Sequence, residues 1–111
     1  MSLHHASPGE IINVRPLGAQ ISDAVSNAHV KTDHLELMRL VLHANKTMPA
    51  HAVAGEVTIQ VIEGSLELHA EGEVQSMRSG DLVYLDGGTP HALHALQDCS
   101  VLMTILLHRP L

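Results

Sequence analysis

The sequence predicts an all-β chain folded as an antiparallel sandwich or closed barrel. Seven or more short segments alternate apolar and polar residues at spacings of roughly ten residues. Gly, Pro and Asp punctuate the gaps between them, as turns require. No segment joins sufficient length to an apolar period of 3.6, so no helix is expected. The strand segments share nothing beyond their alternation, which excludes an internal-repeat architecture.

Residues 1–10, "MSLHHASPGE", are polar and carry Pro8 and Gly9; they are expected to be a flexible N-terminal segment, with residues 11–111 forming a single domain. "RPLGAQISDAVSNAHVKTD" lacks sustained periodicity and reads as a lead-in with one or two short edge strands. In "HLELMRLVLHAN", Leu35, Leu37, Arg39, Val41 and His43 alternate with Glu36, Met38, Leu40 and Leu42, a strand apolar on at least one face. "ANKTMP" then reads as a turn. "EVTIQVIEG" has the cleanest two-residue period and directs Val57, Ile59 and Val61 to the core. "SLELHAEGEVQSM" has the form of a hairpin closing at Gly72, "RSGDLVYLDGGTPHALHAL" reads as turn, strand, glycine turn and strand, and "CSVLMTILLH" is a last buried strand.

Composition narrows the function classes. Of 111 residues 45% are apolar, enough for one core, but Tyr84 is the only aromatic. An aromatic cage and a base-stacking platform are therefore excluded. Six Lys or Arg against twelve Asp or Glu give a formal charge of -6, which repels nucleic acid and anionic lipid. The longest apolar run, Val101 to Leu107, is too short to span a bilayer, and the N-terminus has no signal-peptide core, so a cytoplasmic location is expected. A lone cysteine, Cys99, forms no internal disulfide and reads as a small half-buried core residue.

Two stretches carry a resemblance. "GDLVYLDGGTPH" runs from Gly80 through Asp86, Gly87, Gly88, Thr89 and Pro90 to His91. This resembles the second motif of the cupins: Gly, five residues, Pro, one residue, Gly, two residues, His, with Asp86 in place of the Pro. "PAHAVAGEVTIQVIEG", anchored on Gly64, places His51 at the first histidine of the first cupin motif. There Val53 stands at the second His position, Val57 at the Glu position and Asn45 at the initial Gly position. The resemblance spans Leu35 to Leu107. It implies a double-stranded β-helix, the jelly-roll barrel of small RmlC-like cupins, that works as a homodimer.

In metal-binding cupins two His and one Glu of the first motif converge with one His of the second. Here only His51 and His91 match by position, and they are the candidate metal ligands, for zinc, iron, nickel or manganese. Glu56, Gln60 and His94 are candidates for a missing third ligand, although strand alternation turns Glu56 and Gln60 outward. The implied pocket has apolar walls of Val53, Val57, Ile59 and Met103, with the two histidines at its polar end.

The leading expectation is a small-molecule-binding protein whose pocket histidines can take a metal. The alternative is a divalent-metal-dependent enzyme, a dioxygenase, isomerase or decarboxylase. A third reading is a scaffold whose surface meets another protein.

Other residues read as structural. His29, His34, His43, His69 and His108 are expected at surface or edge positions. Met38, Met48, Met77 and Met103 fill core gaps, and Tyr84 sits at a rim or interface. Glu71 and Glu73 are solvated charges at a hairpin tip, and Arg39 pairs with a carboxylate or grips an anionic ligand.

Overall fold

The computed structural model describes residues 4–107. His108, Arg109 and Pro110 lie outside the described residues. Nine strands follow a short 3-10 helix at Gly18–Asp23: β1 Asn27–Lys31, β2 Leu35–Leu42, β3 Thr47–His51, β4 Val57–Glu63, β5 Ser65–Ala70, β6 Glu73–Arg78, β7 Leu82–Leu85, β8 His91–Ala95 and β9 Cys99–Leu106. They form two antiparallel sheets, one ordered β1-β2-β9-β4-β7 and the other β3-β8-β5-β6. The all-β jelly-roll expectation is met.

The core lies between the sheets. Val57, Ile59 and Val61 on β4 are buried beside Val101 and Met103 of the neighbouring β9, and across from them the other sheet contributes Leu66 and Leu68 of β5 and Leu93 and Ala95 of β8. Without Phe or Trp, methionine fills the irregular gaps: Met77 and Met103 are buried, and Met38 and Met48 pack against the cluster from its edges. Cys99 is fully rather than half buried. Burial, reinforced by Asp98 and Glu63, pushes its thiol up to about 11, so it is an inert core residue.

The lead-in forms one edge strand, within the one or two expected, preceded by a 3-10 turn. One local reading of the sequence is corrected. Thr47–His51, part of which reads as a turn, is a strand at the edge of its sheet. Pro49 misleads there because it removes a backbone donor, yet an edge strand has one side where no donor is needed. The β5–β6 hairpin closes through Glu71 (φ 54) and Gly72 (φ 76), two consecutive left-handed residues that make the tight turn matching the strands' twist.

Arg39 lies on the outer face of β2, opposite in parity to Met38, Leu40 and Leu42. It is nevertheless buried, because the lead-in crosses over it. Its Nη2 donates to the Arg15 carbonyl at 2.8 Å, and Nη1 lies 4.0 Å from Glu63 Oε2. Glu63 in turn accepts the Leu17 and Gly18 amides and the Ser100 hydroxyl at 2.6–3.1 Å. Burial pushes the Glu63 carboxyl up, but the Leu17 amide, Ser100, the Gly18 amide and Arg39 together outweigh it and hold the carboxyl below the usual range. This pairing accounts for Arg39 without a ligand.

Candidate functional site

His91 opens β8 on inward parity with Leu93 and Ala95, at a relative exposure of 1%. Its Nδ1 is 3.0 Å from the Thr89 carbonyl. A carbonyl oxygen only accepts, so Nδ1 carries a proton, and in the singly protonated ring Nε2 is the bare nitrogen. That Nε2 is buried and has no hydrogen-bond partner. Buried polar atoms are otherwise satisfied in folded proteins, so this vacancy needs a reason.

His51 closes β3 directly across from His91, with ring centroids 4.7 Å apart and planes tilted by 49°. Simple alternation would not bring it there. Met48 pairs with the inward Leu93, and the register then slips by one residue before His51 meets His91. This bulge gives His51 the face of His91 that an unbroken strand would have given Ala50, although His51 itself remains exposed at the sheet's edge. Its Nδ1 lies 3.3 Å from the Pro49 carbonyl, so its Nε2 is left bare by the same logic.

The loops around the pair are pinned. The Gly88 amide donates to the Val53 carbonyl at 2.7 Å. A Cβ at Gly87 would overlap the Ala54 carbonyl oxygen, so only glycine lets the β7–β8 loop lie this close to the β3–β4 loop.

The four residues expected to wall the pocket divide in two. Val57, Ile59 and Met103 are buried within the packed core, and Val53 is partly buried against it. None of the three candidates for a third ligand joins the histidines. Glu56 Oε2 and Asp86 Oδ1 both hold the Tyr84 hydroxyl, at 2.6 and 2.9 Å, on the outer rim. Those bonds, to Glu56 first and then Asp86, push the phenol up and keep it protonated. Gln60 alternates with the buried Ile59 and Val61, and so faces outward. His94 is on the outer face of β8, bonded to Thr47 Oγ1 at 2.7 Å. Among the described residues, no three His, Cys, Asp or Glu side chains are placed to hold a metal ion together.

Of the histidines expected at surface or edge positions, His29 lies on the edge strand β1, but its Nε2 is buried and has no hydrogen-bond partner. Burial, and then the nearby Arg39, hold this imidazole below its ordinary value.

Residues 38–105 match the family model described as Cupin domain. The chain belongs to the cupin domain family. An uncharacterized protein of Aquifex aeolicus (strain VF5) is 26% identical to this cupin over 103 residues, 89% of this chain and 84% of that one. The crystal structure of a conserved protein of unknown function from Streptococcus pyogenes covers 99% of the cupin and all of its own length, with a TM-score of 0.76 at 17% identity. An RmlC-like cupin from Desulfovibrio desulfuricans superposes with a TM-score of 0.73 at 25% identity, over 87% of this chain and 97% of its own. Among the described residues of the cupin, no helix is long and apolar enough to cross a membrane.

Proposed function

We propose that this cupin binds a small molecule at the barrel mouth, with the bare Nε2 of His91 accepting a hydrogen bond from it and His51 closing the other side. The observation that carries this is the buried, partnerless His91 Nε2. Leaving such an atom unsatisfied costs about 1–3 kcal/mol. A bound donor removes that cost.

A divalent metal is the second reading, favoured by one observation: both rings donate through Nδ1 to backbone carbonyls, the arrangement that orients an imidazole to coordinate through Nε2. The donor set supports it only in part. Zinc, iron, nickel and manganese accept imidazole, but protein-held sites use three or more side-chain ligands and two are present. A metal would therefore need donors from the bound molecule itself, and enzymatic turnover on it gains no support from the side chains.

Calorimetric titration of zinc, nickel, manganese and iron(II) into the untagged protein separates the readings. Without added ligand, stoichiometric uptake is expected for none of them. Micromolar binding of any one that is lost in both His51→Ala and His91→Ala would establish a metal site and displace the direct-contact reading.

Two copies are also proposed to pair through the outer face of the five-stranded sheet. Leu82, Tyr84 and Leu106 are exposed there, and β7 ends the sheet with an unpaired edge. Sedimentation is expected to give the mass of two chains, reduced toward one by Leu82→Asp. A wild-type mass of one chain would remove the pairing.

A further inference from the structure

The strand register assembles a row that the sequence does not reveal. His51 pairs with His91, His91 with Ala70, and Ala70 with Glu73. Cross-strand partners project from the same face. Glu73 therefore shares the inward side of the four-stranded sheet, as do Gln75 opposite Leu68 and Met77 opposite Leu66. Glu73 is exposed, as a solvated tip charge is expected to be, and the register adds its orientation. Between His91 and Glu73 stands only the methyl group of Ala70, across two strand spacings, about 10 Å between Cα atoms.

Two open grooves, of about 780 and 250 Å³, border this row at Ala70 and Glu73, and both are also lined by Glu71 and Asp86, while His51 and His91 line neither. Neither is lined by a Lys or Arg. The Tyr84 hydroxyl has a single proton to share between Asp86 and Glu56, so it leaves the rim's negative charge in place.

These features select a ligand class. The bare His91 Nε2 needs a donor, the carboxylates need a cation, and the gap over Ala70 needs a short apolar span. An ammonium has three donors and no acceptor. A carboxylate or phosphate ligand would instead meet like charges and offer His91 nothing. We propose that the molecule bound here is a small aliphatic amine, its ammonium N–H groups directed to Glu73 at one end and His91 Nε2 at the other. This deepens the binding proposal above and rests on it. It also accounts for the incomplete metal site, because Glu73 stands too far along the row to share one ion with the histidines.

Three probes of one chain length test the class: 1,4-diaminobutane, 1,4-butanediol and succinate, titrated by calorimetry with the His91 ring followed by NMR. The diamine is expected to bind and shift the His91 ring signals, the diol and succinate at least about tenfold more weakly. Glu73→Gln should weaken the diamine about tenfold, while Glu67→Gln, on the outward face beside His69, leaves it unchanged. Equal or tighter binding of the diol or succinate at His91 would overturn the amine assignment and leave the His51–His91 site standing. Undiminished diamine binding in Glu73→Gln, diamine binding without a His91 shift, or no binding by the diamine overturns the assignment directly.

Discussion

Two buried polar side chains of this protein make opposite statements. Arg39 is enclosed but reaches the Arg15 carbonyl, Ser100 and Glu63, so its burial is explained by structure. His91 is more deeply enclosed and reaches one carbonyl, with its second nitrogen lacking a hydrogen-bond partner. A purely structural histidine would lose stability on replacement; a ligand-binding one, kept at a cost, would not. His91→Leu removes the unsatisfied atom and supplies an apolar side chain of similar bulk beside Leu93. The Thr89 carbonyl freed by the change is in a partly exposed residue and can bond water. We expect the variant's unliganded stability to be unchanged or raised by about 1 kcal/mol, about 4 °C in thermal midpoint, with ligand binding abolished. A loss of about 2 kcal/mol on denaturant titration would assign His91 to the framework instead.

Elements differ in how far the sequence discloses them. β4 is legible because its alternation matches a sheet with one buried face, and Val57, Ile59 and Val61 are buried as the period requires. β2 is legible as a strand but not in its facing. Leu37 and Val41 are as apolar as Leu40 and Leu42, because the lead-in covers the outer face that would otherwise be polar. β3 is hidden by Pro49. The candidate site inherits both situations. Motif spacing brings out His51 and His91, since glycines at fixed offsets set the turns around them. The orientation of His51 depends on a bulge, and that of Glu73 on a turn of two left-handed residues. Each is a matter of one residue in register, which spacing alone does not encode, and each flips a side chain from one face to the other.

At the scale of the whole molecule, the lead-in is held against the five-stranded sheet by the Arg39–Glu63–Ser100 cluster, and the Ala6 amide donates to the His29 carbonyl at 2.7 Å. Two titrating groups on this side therefore couple the strap to pH. His29 has a folded value depressed below 6.5, by burial first and Arg39 second. Its contribution is complete above 6.5 and is lost as pH falls through the depressed value, because the unfolded chain takes up the proton first. Glu63, depressed below 4.5, has the same sign at a lower window: its contribution is complete above 4.5 and declines as pH falls beneath it. Acidification should consequently lower the thermal midpoint in two stages. The His29→Leu variant removes the first stage alone, so its midpoint should stay level as pH falls from 6.5 toward 4.5, where the wild type declines. Limited proteolysis in the same interval should cut the wild-type lead-in near Arg15 faster than at neutral pH, since a charged imidazole beside Arg39 loosens the strap before the barrel opens. Parallel midpoint curves for the two proteins would show that the proton is taken up elsewhere, and that His29 is no part of what fastens the lead-in.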